Sequence, residues 1–233
     1  LVADGVSEKG IEILSKEFEC EIRAKLPAEE LLATIHEYDG LVVRSASKVT
    51  KEVIEAATNL KVIGRAGVGV DNIDIEAATA KGIIVLNAPE GNTIAATEHT
   101  VAMMLSMARN IPQAHSSVQN GEWKRNQFVG VEMRGKTLGV IGLGRIGSGV
   151  AKRAIAFDMK VIGYDPYVNE ERAKTMGIEV VSLEEIYANA DFISVHMPLT
   201  AQTKDLINSE TISKMKDGVY LVNCARGGII NEA

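Results

Sequence analysis

Short runs of valine, isoleucine and leucine alternate with helix-like stretches along the whole chain, and few architectures accommodate that pattern. A parallel strand is buried on both faces and so reads as a continuous apolar run. The connection to its parallel neighbour needs a dozen or more residues, usually a helix. The alternation therefore predicts an α/β protein with two parallel sheets covered by helices. The first sheet is expected to contain residues 1–3, 41–43, 61–63 and 83–86, with 20–22 as a weaker strand. Ser7 and Thr50 are expected to cap helices whose apolar positions, Ile11, Leu14 and Phe18 in one and Val53, Ile54 and Ala57 in the other, recur at helical spacing. The second sheet is expected from four strands, at 137–141, 160–164, 192–195 and 219–222, fewer than the six of a complete double-wound nucleotide domain.

Between the sheets, Gly91-Asn92-Thr93 breaks the pattern, and Ile94 to Arg109 follows as a helix apolar on nearly every face. Such a helix asks for burial on several sides, either at a domain or subunit junction or as a central core helix. The boundary is placed there, giving domains 1–91 and 92–233. At 233 residues and 46% hydrophobic content, the chain can build a core in each.

Composition narrows the function classes. A net charge of -6 argues against a nucleic-acid surface, and no apolar run approaches the roughly 20 residues that span a bilayer. Two distant cysteines, Cys20 and Cys224, suit a reducing cytoplasm better than a disulfide framework. The four histidines have no paired ligand spacing, so no metal site is expected.

One motif carries specific chemistry. Gly142, Gly144 and Gly147 follow the apolar run ending at Ile141 and precede the helix-like Ser148 to Phe157. In that context the first glycine permits a tight turn, the second lets a pyrophosphate approach the backbone, and the third lets helix and strand pack closely. Asp165 ends the next strand, eighteen residues beyond Gly147. A carboxylate there accepts hydrogen bonds from ribose hydroxyls and repels a 2′-phosphate, which favours NAD over NADP and predicts a Rossmann-type domain. The run from Gly64 to Asn72 is also glycine-rich, but asparagine replaces the third glycine, so it is not a second dinucleotide site. Its Gly67-Val68-Gly69 segment is either an anion-binding loop or an unliganded turn. Arg44-Ser45, also at a strand end, pairs a forked cation with a hydroxyl.

Together, Gly64 to Asp74, Gly142 to Gly147, Tyr164-Asp165-Pro166, His196 to Thr200 and Asn223 to Gly228 resemble the D-isomer-specific 2-hydroxyacid dehydrogenases, and the likeness runs across essentially the whole chain. The resemblance implies a flavodoxin-like substrate domain, a Rossmann-type NAD domain incomplete at its C-terminus, and hydride transfer between C2 of a 2-hydroxy acid and nicotinamide. It implies Arg226 as the catalytic arginine. Arg145, Ile146, Asp165, His196, Met197, Pro198, Cys224 and Ala225 would line the cofactor with the three glycines and Arg226. Arg44, Ser45, Val68, Gly69 and Asn92, again with Arg226, would line a small, phosphorylated 2-hydroxy acid. The family's acid–base histidine and its glutamate lie C-terminal to the arginine motif, so the 233 residues alone are expected to be catalytically dead or nearly so. A homodimer or homotetramer is implied, in which Arg125 of the Trp123-Lys124-Arg125 cluster reaches a neighbouring copy's substrate; the alternative is a solvated basic stretch. A glyoxylate or hydroxypyruvate reductase and a non-catalytic NAD-responsive binding protein remain open.

Overall fold

The computed structural model describes all residues, Leu1–Ala233, and divides them into two compact units, Leu1–Asn92 and Thr93–Ala233. The division falls one residue beyond the boundary expected from sequence.

The first unit contains α1 (Glu8–Leu14), α2 (Ala28–Thr34), β1 (Gly40–Val43), α3 (Lys51–Ala56), β2 (Val62–Arg65), α4 (Ile75–Ala80) and β3 (Ile84–Asn87). The three strands are parallel in the order β1-β2-β3, and Val2 bridges to both Val42 and Ile22. The N-terminal segment and the weak segment near Ile22 thus extend the sheet by single bridges rather than as full strands. Counting them, the strand order is 2-1-3-4-5, that of flavodoxin-like sheets. Leu41, Val43 and Ile63 point into a core with Leu31, Ile35 and Ile54. The opposite face of the sheet is less covered. Ile84 and Leu86 are exposed there, and a groove of about 840 Å³ runs past Phe18, Tyr38, Val42 and Val62.

Two helix expectations need correction. Ser7 does cap α1 by accepting the Gly10 N–H, but Thr50 makes no capping bond to α3. Its side chain is engaged by the Glu52 carboxylate, which it helps hold below the usual carboxylate range. Helix α1 buries no residue fully, and Phe18 lies outside the helix and is 67% exposed.

The second unit contains α5 (Thr93–Ala108), α6 (Ile111–Gln119), β4 (Thr137–Ile141), α7 (Arg145–Ala156), β5 (Lys160–Tyr164), α8 (Glu170–Thr175), β6 (Glu179–Val180), α9 (Leu183–Asn189), β7 (Phe192–Val195), α10 (Ser209–Ile212) and β8 (Tyr220–Asn223). Its sheet is parallel throughout, ordered β6-β5-β4-β7-β8. Reading outward from β4 gives 3-2-1-4-5, the Rossmann order without its sixth strand. The sheet has five strands rather than the four expected: β6 is only two residues long, and its Glu179 breaks the apolar pattern. Helix α5 also differs from expectation. It buries one stripe, Thr97, Thr100, Met104 and Ala108, while Ile94 and Met103 are exposed.

That stripe packs α5 against α7. The contact is close because Gly149 of α7 meets Thr97, whose Oγ1 would lie 2.8 Å from any Cβ at that position. The Thr97 and Thr100 hydroxyls donate to the carbonyls of Thr93 and Ala96 one turn back, so neither enters the contact unpaired. Gly149→Val should therefore overpack the junction and lower stability by about 1–3 kcal/mol, read as a shifted denaturant midpoint with an unchanged slope.

Candidate functional site

In the second unit, β4, β5, β7 and β8 end together. Ile141 stands opposite both Tyr164 and Val195, and Val195 stands opposite Asn223. The segments that follow these four strands, from Gly142, Asp165, His196 and Cys224, therefore leave the sheet at its carboxyl edge, where open α/β sheets bind ligands.

The three glycines divide their work by packing. Gly142 has φ +99°, and a Cβ there would lie 2.8 Å from the His196 carbonyl. A Cβ on Gly147 would fall 1.9 Å from the Gly142 oxygen, so helix α7 can sit on the turn only with glycine there. Gly144 has nothing within 4 Å of its Cβ position. It is the N-cap of α7 and offers no side chain to the helix N–H groups. An open backbone face at the positive end of a helix dipole is what a pyrophosphate requires.

Asp165 is engaged within the protein itself. Its Oδ2 accepts the Leu143 N–H at 2.9 Å and its Oδ1 accepts the Tyr167 N–H at 2.8 Å. The carboxylate thus pins the glycine turn while its remaining lone pairs stay available to ribose hydroxyls. The donor set fits a dinucleotide: open glycine backbone, an uncapped helix start and a carboxylate one strand away.

On the other side of β4, His196 donates its backbone N–H to Ile141, and its Nε2 lies 2.8 Å from the hydroxyl of fully buried Ser194. Burial lowers its pKa to about 4, so the ring is neutral near pH 7. Met197 reaches the Gly142 turn. Beyond Pro198, the buried Thr203 hydroxyl donates to the Pro198 carbonyl at 2.6 Å and accepts the Thr200 N–H, fixing the following loop. After β8, the Asn223 side chain accepts the Ala225 N–H and donates to the Arg226 carbonyl, closing a turn around half-buried Cys224. The Arg226 guanidinium donates to the Ala225 carbonyl at 2.9 Å. Asn223 entered the sequence reading only as the first residue of a motif, and Ser194 and Thr203 were not singled out. Ser194 is signalled only as a polar residue within an apolar run, and Thr203 has no signal of its own.

In the first unit, Arg44 and Ser45 follow β1 and are exposed, as is Asn92, the unit's last residue. The Gly67-Val68-Gly69 loop follows β2 and is fixed by β3, because Asn87 Nδ2 donates to the Val68 carbonyl and Ala88 N–H to the Gly67 carbonyl. Arg65, which sequence reading passed over, ends β2 opposite Val43. Its guanidinium lies across Gly67, where a Cβ would clash, and its Nε is buried with no hydrogen-bond partner. A buried unpaired donor on a cation is expensive and calls for a reason. Arg125 begins an exposed 3-10 turn, Arg125–Phe128, beside Trp123, which is 82% exposed. No helix is long and apolar enough to cross a membrane.

Comparison with known proteins agrees with this geometry. Residues 101–233 match the family profile described as D-isomer specific 2-hydroxyacid dehydrogenase, NAD binding domain. The chain is 56% identical to D-3-phosphoglycerate dehydrogenase of Methanocaldococcus jannaschii and 54% identical to that of Bacillus subtilis; in each case it is matched over its full length and covers 44% of the relative. It thus spans less than half of these curated relatives. Among solved structures, a Thermus thermophilus protein superposes with TM-score 0.90 at 35% identity, covering 99% of this chain and 74% of that one. D-lactate dehydrogenase of Aquifex aeolicus, complexed with NAD and lactic acid, superposes with TM-score 0.88 at 34% identity, covering 99% and 70%. The chain belongs to the D-isomer-specific 2-hydroxyacid dehydrogenase family, and its second unit is that family's NAD-binding domain.

Two outcomes follow. Asp165→Ala should weaken NAD binding by about 10- to 100-fold, the worth of a charge-assisted hydrogen bond, and narrow discrimination against NADP; fluorescence titration with both dinucleotides measures it. For His196, the folded pKa lies below the unfolded value, so its contribution is complete above pH 6.5 and is lost as pH falls toward about 4. That loss should approach about 3 kcal/mol, and His196→Gln should remove this part of the pH slope in denaturant unfolding.

Proposed function

We propose that the protein is an NAD-dependent D-3-phosphoglycerate dehydrogenase, oxidising D-3-phosphoglycerate at C2 to 3-phosphohydroxypyruvate on the route to serine. The observation that carries this reading is the pair of arginines at adjacent strand ends. Arg65 stands opposite Val43 across the sheet, and Arg44 is the first residue after β1. A carboxylate needs one forked cation, whereas a phosphate dianion rewards two. The unpaired, buried Nε of Arg65 is the kind of donor a phosphate would satisfy. The identity to D-3-phosphoglycerate dehydrogenases over the whole chain supports the same substrate.

In this reading NAD, when bound, supplies the hydride acceptor. It would lie over Gly142, Gly144 and Gly147, with Arg145 and Ile146 beside it and Asp165 on its ribose. His196, Met197, Pro198, Cys224 and Ala225 would form its other wall, the neutral His196 adding no charge there. Arg226 would hold the substrate carboxylate and the C2 oxygen. Charge on that oxygen changes as the hydride leaves, and a fixed guanidinium meets it without reorganisation. Ser45, the Val68 and Gly69 backbone and Asn92 would complete the substrate side. Arg125 would add a cation to the phosphate of a second copy in a homodimer or homotetramer. The proton acceptor would come from the family's histidine and glutamate, which follow the arginine motif, so residues 1–233 alone would bind NAD without turnover. The compartment would be the cytoplasm.

Steady-state kinetics of the whole enzyme test the reading. Turnover should favour D-3-phosphoglycerate over its unphosphorylated analogue. Arg65→Ala and Arg125→Ala should raise KM for the phosphorylated acid and leave the analogue unaffected. Arg226→Lys should lower kcat/KM by about a hundredfold for both acids, because an ammonium cannot reproduce the fork. Equal turnover of the two acids would point to a hydroxypyruvate or glyoxylate reductase instead.

A further inference from the structure

Asparagine 72 stands where a third dinucleotide glycine would be, and its side chain has a definite task. Both hydrogens of its amide are used: Nδ2 donates to the Arg44 carbonyl at 2.7 Å and to the Ser47 carbonyl at 2.6 Å. The same turn is held from its other side by Asp4, which is 3% exposed. Asp4 Oδ2 accepts the Arg44 N–H at 2.6 Å and the Ser47 N–H at 3.2 Å, and Oδ1 accepts the Ser47 hydroxyl at 3.0 Å. The next residue, Gly5, offers its carbonyl to the Arg44 guanidinium at 3.1 Å. Backbone bonds continue the connection, from Val49 N–H to the Asn72 carbonyl and from Asp74 N–H to the Val49 carbonyl.

We propose that Asp4 and Asn72 are positioning residues: Asp4 ties the 44–47 turn to the N-terminal segment and Asn72 ties the same turn to the 67–72 loop, so that Arg44 and the loop N–H groups meet an anionic substrate as one preformed unit. The proposal rests on the reading that these segments take substrate. The chemistry of the two clamps is complementary. Asp4 only accepts and faces N–H and O–H donors, whereas Asn72 donates and faces two carbonyls. Only the second role is abolished by an isosteric exchange. An amide at position 4 could turn its oxygen to the two N–H groups and its NH2 to the Ser47 hydroxyl, whereas a carboxylate at position 72 would face two carbonyl oxygens with nothing to donate. Neither residue needs to touch substrate. Each removes conformations from the turn before substrate arrives, and that saving appears as affinity.

The test uses Asp4→Ala, Asn72→Asp and the gentler Asn72→Ala in the whole enzyme, with Arg44→Ala beside them. Residue-resolved amide exchange without substrate should accelerate at least tenfold at Arg44 and Ser47 in Asp4→Ala. KM for D-3-phosphoglycerate should rise at least tenfold in Asp4→Ala and Asn72→Asp, and less in Asn72→Ala, with kcat and the NAD dissociation constant within threefold of the parent. Unchanged exchange at those amides overturns the clamp. Faster exchange with unchanged KM also overturns the positioning role, and Arg44→Ala then separates the causes: if it raises KM, Arg44 takes substrate without needing the clamp, and if it does not, the substrate assignment itself has failed. A joint fall of kcat and of cooperative thermal unfolding in all three variants overturns the proposal in favour of plain structural damage.

Discussion

Everything that carries chemistry in this chain depends on strands that all run the same way. A parallel strand can be followed by its neighbour only after a crossover, so each strand begins at one edge of the sheet and ends at the other. The loops that leave the carboxyl edge are thereby gathered from distant stretches of sequence. In the second unit that edge collects the glycine turn, Asp165, His196 and the Asn223–Arg226 turn. In the first it collects Arg44, Arg65 and Asn87, whose strands are in register at Val43, Arg65 and Asn87. Side chains do not draw these groups together; the ladder hydrogen bonds do, and the side chains then fix the loops locally.

That local fixing is mostly done by buried or half-buried polar groups, each matched to backbone. Asp4, Ser194 and Thr203 all lie within 6% exposure and all have partners. Burial of a polar group is costly unless its bonds are made, so a loop tied in this way has few alternatives of similar energy. Apolar packing could hold the same backbone, but it would not fix the direction of individual N–H and carbonyl groups, which is what an anion or a ribose reads.

The sequence was informative where a physical demand has a residue-level signature. Strands β1, β2, β3, β4, β5, β7 and β8 announced themselves as apolar runs, and the glycine turn could be interpreted because strand, spacing and helix all constrained it. Gly147 shows why: its lack of a side chain is demanded by the Gly142 carbonyl. Strand β6 was missed because two residues at a sheet edge need no apolar pattern, and Thr50 was misread because a helix-capping residue can serve a neighbouring carboxylate instead. Arg65 lay hidden inside a motif valued for its glycines. The tasks of Asp4 and Asn72 were hidden for a deeper reason. Their partners lie some 25 to 43 residues away, and a single polar residue after a strand does not say which backbone it will meet.

The two backbone bonds of Asp165 bear on how cofactor choice can change over evolutionary time. If that carboxylate served only the ribose, its replacement by a small or basic residue would be a local edit. Here it also holds the Leu143 amide of the phosphate turn and the Tyr167 amide beyond β5. Under the proposed function, specificity and loop order would share one side chain. A change that removed the carboxylate would also leave the Leu143 and Tyr167 amides to find another acceptor, from protein or water, so a switch of cofactor would carry a cost in the order of the phosphate turn.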